Sequence, residues 1–88
     1  MRLLVVEDEA RIAEILRAAL ARAGFVVDAV AFCADARAAL VVTPYDSAIL
    51  DLGLPDGDGI SLLSELRSDG NRILFLLKNV RGLELGDG

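Results

Sequence analysis

The chain has 88 residues, enough for one small domain, and its composition of 55% hydrophobic and 26% charged residues excludes a disordered or low-complexity protein. A net charge of −5 at pH 7 disfavours direct binding to the phosphate backbone of nucleic acids. Histidine is absent and Cys33 is the single cysteine, so an internal disulfide and a multi-thiolate metal site are both excluded. A metal site would need oxygen ligands, which favour Mg²⁺, Mn²⁺ or Ca²⁺ over zinc. Cys33 itself is expected to be a small buried residue.

Short apolar runs alternate with segments of helical periodicity along the whole chain. Apolar runs predict four strands, at 3–6, 25–30, 47–50 and 73–77. The spacing of apolar residues predicts three helices, at 12–23, 34–41 and 60–66. Gly24 ends the first helix, and the third helix ends near 68–70. The order β-α-β-α-β-α-β with short connections predicts an α/β fold, a doubly wound parallel sheet with helices on both faces.

Acidic residues follow two of the predicted strands directly. Glu7 and Asp8 come after the first strand and Asp51 after the third. Ligand sites of parallel sheets lie at the carboxyl ends of the strands, so these three carboxylates are expected at one edge. Clustered carboxylates repel one another, and a divalent cation would compensate for that repulsion. An aspartate there can also act as a nucleophile and form an acyl phosphate.

Simpler interpretations of these residues remain open. Glu7 and Asp8 could only cap the following helix, and Asp51 could merely end its strand. Asp56 and Asp58 are expected to be loop and helix-entry residues rather than ligands.

Three other kinds of site receive little or no support from the sequence. Asp56, Asp58 and two later residues fit part of a calcium-binding loop, but its first ligand position is Leu54, which cannot bind calcium. No glycine-rich nucleotide-binding motif is present. The apolar run near the N-terminus has only four residues, too few for a signal peptide, and no run approaches the roughly 18 residues that span a bilayer. We therefore expect a soluble, cytoplasmic protein.

Two motifs together resemble one protein family. VVEDE at 5–9 and ILDLGLPDGDG at 49–59 are similar to the receiver domain of bacterial two-component response regulators, in the subfamily that precedes a winged-helix DNA-binding domain. The resemblance implies that Asp51 is the phosphoacceptor and that Mg²⁺ (magnesium) is the cofactor. Asp8 would be a direct magnesium ligand, Glu7 would act through water, and Gly53 would supply a backbone carbonyl. A sensor histidine kinase is the implied partner.

The sequence departs from the family pattern in its last third. Where receivers place a Thr or Ser after the fourth strand, this chain has Lys78 or Asn79, depending on register, and Lys78 could stand in as a counterion for the phosphoryl group. RGLELGDG at 81–88 resembles the end of the fourth receiver helix, and no segment matches the fifth strand, with its lysine, or the fifth helix. We therefore predict that 1–88 is a truncated receiver domain with an internal deletion: a flavodoxin-like fold, incomplete because the fifth strand and fifth helix are missing.

Two functional hypotheses follow from the resemblance and its limits. The first is a phosphoacceptor module, not an enzyme, with impaired switching because the hydroxyl and the lysine are absent. The second is a structural or interaction fragment that self-associates, as a homodimer or higher oligomer, through the exposed edge of the fourth strand. No membrane and no nucleic acid is expected as a direct partner. An aspartate-based phosphatase would need a second aspartate at position 53, which is Gly.

Overall fold

Four strands and three helices alternate in the computed structural model, which describes residues 1–51, 54–57, 59–70 and 73–78. Their bounds, in chain order, are β1 Arg2–Val6, α1 Ala10–Arg22, β2 Val26–Val30, α2 Cys33–Val42, β3 Ser47–Asp51, α3 Gly59–Ser68 and β4 Leu74–Lys78. Every predicted element is present, and its ends differ from the expected ones by two residues at most. Asp51 is itself the last residue of β3 rather than the residue after it.

The strands form one parallel sheet in the order β2-β1-β3-β4. Val6 lies between Val30 of β2 and Leu50 of β3, so the ends of three strands are level with one another. β4 is hydrogen-bonded to β3 and lies at one edge of this described sheet. The predicted α/β architecture is confirmed, and the central position of β1 and β3 brings their C-terminal ends side by side.

Alternation along β1 and β3 divides the buried side chains between the two faces of the sheet. On one face, a single core cluster joins alternate residues of β1 and β3 to the inner sides of α2 and α3; its members are Leu4, Val6, Cys33, Ala36, Leu40, Ala48, Leu50, Leu54, Leu62 and Leu66. Cys33 is buried in this cluster, as expected. Leu3 and Val5 are also buried and point to the other face, where α1 contacts β1 and β2.

α1 covers its face of the sheet less completely than its sequence predicts. None of its residues is fully buried, and Ile15, which the periodicity placed on the apolar side, is 63% exposed. The helix does end as predicted: Gly24 has φ = +102°, in the left-handed region, and Phe25 N–H donates to the carbonyl of Leu20 at 3.1 Å. Within the described residues, no helix has the length and apolar character that crossing a membrane requires.

Candidate functional site

Three carboxylates converge at the C-terminal edge of the sheet, as the sequence predicts. Glu7 and Asp8 follow β1, and Asp51 ends β3, the neighbouring strand. One oxygen from each of these residues lies within 4.8 Å of the other two. Glu7 is only 2% exposed and Asp51 only 5% exposed, although buried carboxylates are costly unless they are compensated. Carboxylates this close together repel one another, and a divalent cation would offset that repulsion.

Glu7 is held in place by the elements on both sides of it. Its N–H donates to the carbonyl of Val30, at the end of β2, at 2.9 Å. Its Oε2 accepts a hydrogen bond from the N–H of Glu9 at 3.0 Å. Glu9 occupies the N-cap position of α1, and its own side chain makes no capping hydrogen bond. The Glu7 carboxylate thus accepts a hydrogen bond from the N-cap residue of α1 and also lies within the acidic cluster.

Asp8 provides the test of whether this cluster suits a cation. Its Oδ1 is buried and has no hydrogen-bond partner within the described part of the chain. A buried carboxylate oxygen without a donor is unfavourable, but it is a suitable ligand for a hard divalent cation. The three residues offer oxygen donors alone, the set preferred by Mg²⁺. The acidic cluster could therefore hold a metal ion of this class.

A cavity of about 240 Å³ opens beside the cluster, between the start of α1 and the end of β2. Glu7 and Asp8 form part of its wall, together with Ala10, Ala13, Glu14 and the segment 29–31. The cavity gives solvent and small ions a route to two of the three carboxylates.

Asp56 has a role that the sequence does not reveal. Its Oδ1 accepts a hydrogen bond from the N–H of Cys33 at 2.7 Å, and its Oδ2 accepts one from the N–H of Ala34 at 3.1 Å. These hydrogen bonds, of which the one from Cys33 N–H has the largest effect, hold the pKa of the Asp56 carboxyl below its ordinary value of 3.8. Asp56 is a loop residue outside the acidic cluster, as expected, but from the segment that follows β3 it caps α2. The donors are 22 and 23 residues away, so no local motif could have identified them.

Other predicted site residues are only partly described. The β3–β4 register makes Lys78 the Cα partner of Asp51, which places it at the edge that carries the acidic cluster. Gly53, Asp58 and Asn79 lie outside the described residues, so the predicted carbonyl ligand and the choice between Lys78 and Asn79 stay predictions. The calcium-loop alternative fails further, because Asp56 caps α2 and Glu65 pairs with Arg37 at 2.6 Å.

Residues 3–80 match the family described as "Response regulator receiver domain". The chain belongs to this family. Among its relatives, the two-component response regulator PhoP of Pseudomonas aeruginosa is 43% identical over 82 residues, which are 93% of this chain and 36% of that protein. The transcriptional regulatory protein QseB of Escherichia coli O157:H7 is 38% identical over 94 residues, which are 98% of this chain and 43% of QseB. That span exceeds 88 residues, so QseB contains positions without a counterpart in this receiver chain.

Solved structures give the same fold. The MaeR response regulator bound to beryllium trifluoride superimposes with a TM-score of 0.86 at 29% identity, covering 91% of this chain and 67% of that one. The complex of the histidine kinase ThkA with the response regulator TrrA matches with a TM-score of 0.84 at 29% identity, covering 90% of this chain and 68% of its counterpart. The flavodoxin-like receiver fold is thus confirmed. The chain spans well under half the length of the curated relatives, PhoP and QseB, described above.

Proposed function

We propose that this chain is the phosphoacceptor module of a two-component system and that Asp51 is the phosphorylated residue. The observation that carries the proposal is the convergence of Glu7, Asp8 and Asp51 oxygens within 4.8 Å at the C-terminal edge of a receiver fold. Asp51 ends a strand in the middle of the sheet, which brings its carboxylate beside the other two. A held carboxylate is the nucleophile that acyl phosphate formation needs.

The proposed reaction is a phosphoryl transfer onto Asp51. One carboxylate oxygen attacks the phosphorus of a phosphohistidine, an O–P bond forms, and the P–N bond to the imidazole breaks. The imidazole nitrogen keeps the electron pair of that bond and takes a proton from water. The product is an aspartyl phosphate on Asp51 and a neutral histidine on the donor. The chain acts as a stoichiometric acceptor, so we propose no enzymatic turnover of its own.

Glu7 and Asp8 would hold the Mg²⁺ that this transfer requires. Asp8, with its buried Oδ1 lacking a donor, would be a direct ligand together with Asp51, and Glu7 would act through water. By family resemblance the Gly53 carbonyl would complete the protein ligands. When bound, the ion supplies positive charge that offsets the phosphoryl oxygens next to the carboxylates. The chain itself keeps the three carboxylates close together at the ends of two neighbouring strands.

A sensor histidine kinase is the proposed phosphoryl donor. The similar TrrA chain is seen in complex with the histidine kinase ThkA, and the similar PhoP is named a two-component response regulator. QseB is a transcriptional regulatory protein, so a transcriptional output is the proposed context of this chain in a longer protein. A cytoplasmic location fits that context. The acidic chain itself, with a net charge of −5, is not proposed to bind DNA.

Switching is proposed to be impaired. The register places Lys78 beside Asp51, and a lysine has no hydroxyl with which to follow the phosphoryl group. A Lys78→Thr variant tests this point: if the missing hydroxyl limits switching, the variant shows larger NMR shifts in β4 on phosphorylation than the unsubstituted chain. Equal shifts in the two proteins would contradict it.

Binding of beryllium trifluoride tests the phosphoacceptor proposal without a kinase, because this tetrahedral group resembles a phosphoryl group on a carboxylate. We expect Mg²⁺ and beryllium fluoride together to shift the amide resonances of Asp8 and Asp51, and Mg²⁺ to be required. The Asp51→Asn variant is the matched control and should show no beryllium fluoride effect. A response that is equal in wild type and Asp51→Asn would contradict the proposal.

A second candidate function rests on the sheet edge. β4 has one hydrogen-bonded neighbour in the described sheet, and its sequence LFLLK is apolar except for the last residue. Exposed strand edges of this kind pair with other chains, so the alternative is an interaction module that forms a homodimer or higher oligomer through β4. Light scattering after size-exclusion chromatography tests it, with Leu76→Lys as the edge-blocking variant. A micromolar monomer in the wild type would contradict self-association.

A further inference from the structure

A turn in the loop after Asp51 is fastened to the start of α2. Residues 54–57 form a β-turn in which Gly57 N–H approaches the Leu54 carbonyl at 3.4 Å. Leu54 is buried in the core cluster, which anchors one end of the turn. Asp56, at the tip, directs its two carboxylate oxygens to two consecutive backbone N–H groups of α2.

The first turn of α2 depends on this external carboxylate. The residue at its N-cap position is Phe32, whose apolar side chain has no acceptor and makes no capping hydrogen bond. The N–H groups of Cys33 and Ala34 are among the four that a helix leaves unpaired at its start. Asp56 accepts from both of them, and its negative charge lies at the positive end of the helix.

Close packing reinforces the hydrogen bonds. A Cβ atom added at Gly57 would lie 3.2 Å from the Sγ of Cys33, which is tighter than ordinary van der Waals contact. The Cys33 side chain therefore lies next to Gly57 and leaves little room for a side chain at that position. We call these contacts of 54–57 with Cys33 and Ala34 the turn clasp.

The turn clasp connects the two loops that carry the acidic cluster. The β2–α2 connection begins at Val30, whose carbonyl accepts from Glu7 N–H, and ends at Cys33, whose N–H donates to Asp56. One end of this connection thus holds the loop that carries Glu7. The other end holds the turn 54–57, the described segment that follows Asp51 in the chain. The short connection, residues 31 and 32, fixes the separation between the two holding points.

We propose that Asp56 is a positioning residue for the phosphoacceptor site: through the turn clasp it holds the loop after Asp51 at a fixed distance from the loop of Glu7 and Asp8. This inference rests on the proposed function of Asp51. Asp56 does not itself touch the phosphoryl group or the metal. Its loss loosens the spacing of the three carboxylates, and with it the affinity for Mg²⁺ and the rate of phosphorylation.

Three variants test the clasp. Asp56→Ala removes both acceptor oxygens, and Asp56→Asn keeps one of them. Asp35→Ala is the matched control, since Asp35 lies in the same first turn of α2 but makes no hydrogen bond or ion pair to the turn in the part of the chain that is described. The readouts are the amide resonances of Glu7, Asp8 and Asp51 without added metal, the Mg²⁺ dissociation constant by calorimetry, and the rate of phosphorylation by acetyl phosphate at saturating Mg²⁺. Urea unfolding confirms that each variant is folded.

We expect Asp56→Ala to move the resonances of Asp8 and Asp51, to weaken Mg²⁺ binding severalfold, and to slow phosphorylation. Asp56→Asn should restore part of each effect, and Asp35→Ala should leave all three unchanged. By reciprocity, Mg²⁺ should slow hydrogen exchange at Cys33 and Ala34 in the wild type.

Resonance shifts confined to Cys33 and Ala34, with those of Asp8 and Asp51 unmoved, would overturn the positioning role and leave Asp56 as a cap. Equal effects of Asp56→Ala and Asp35→Ala would also overturn it, since helix-end charge would then explain both. Failure of the wild type to bind Mg²⁺ or accept a phosphoryl group would count against the proposed function. The metal-free resonances of Asp51 would still decide the clasp.

Discussion

Removing one charge from the acidic cluster should stabilise the metal-free protein. The perturbation is Asp8→Asn, chosen because Asp8 Oδ1 has no hydrogen-bond partner among the described residues, so the substitution sacrifices no described bond at that atom. Two unit charges 4.8 Å apart, the outer limit for this cluster, repel by about 0.9 kcal/mol in bulk water and about 3.5 kcal/mol at an effective dielectric constant of 20. Asp8 is only partly buried, so the lower figure is the better guide.

Asp8 has two such neighbours, Glu7 and Asp51, so its neutralisation should raise the free energy of unfolding by about 2 kcal/mol without metal. For a domain of this size that corresponds to a rise of about 10 °C in melting temperature. The assay is urea and thermal unfolding in EDTA and again in excess Mg²⁺. Saturating Mg²⁺ should stabilise the wild type by about 2.7 kcal/mol at one hundred times its dissociation constant and should stabilise Asp8→Asn much less.

Asp69→Asn is the control, because Asp69 is exposed and follows α3, outside the acidic cluster. It removes the same formal charge and should change stability by less than about 0.5 kcal/mol. If Asp8→Asn were no more stable than the wild type in EDTA, the carboxylates would not be held in mutual repulsion. The reasoning that assigns them to a cation would then fail.

Three further predictions concern the scaffold. Tyr45→Phe removes the hydrogen bond from the Tyr45 hydroxyl to Asp28 Oδ2 (2.6 Å) and should cost about 1 kcal/mol at pH 7 in urea unfolding. That hydrogen bond is the largest cause of the lowered pKa of the Asp28 carboxyl. The greater stability of the wild type should therefore be complete above pH 3.8, the ordinary pKa, and should be lost as the pH falls through the lower pKa of the folded state. A stability difference that persists in stronger acid would contradict this. Leu62→Ala should lower the free energy of unfolding by about 2–5 kcal/mol in the same assay, because Leu62 is fully buried. Val41→Ala, at an 83% exposed site, is the control and should change it by less than about 0.5 kcal/mol. Similar losses in the two variants would contradict the burial of Leu62 in the core. Gly24→Ala should cost about 1 kcal/mol in thermal unfolding through its positive φ alone, since an added Cβ meets no atom within 4 Å; an unchanged melting temperature would refute this.

The sequence predicts the scaffold well because its signals are local. The run Leu3–Val6 and the helical spacing that ends at Gly24 are each set by residues a few positions apart, and both elements formed where expected. The convergence of Glu7, Asp8 and Asp51 was also predictable, because parallel strands bring their carboxyl ends to one edge.

The features that could not be predicted from the sequence depend on contacts between residues that are far apart in the chain. Asp56 caps a helix that begins 23 residues earlier, and no spacing rule connects an aspartate in a turn with those N–H groups. The exposure of Ile15 was unpredictable for a related reason: periodicity gives the apolar side of α1 but not how much of it the sheet and its neighbours cover.

The central claim is that Asp51 accepts a phosphoryl group, and direct mapping of the acyl phosphate tests it best. The chain would be incubated with acetyl phosphate and Mg²⁺, reduced with borohydride to convert an aspartyl phosphate into homoserine, digested and sequenced by mass spectrometry. We predict that homoserine appears at position 51, depends on Mg²⁺, and is absent from Asp51→Asn. Homoserine at another carboxylate, or none in a chain shown to be folded, would contradict the assignment.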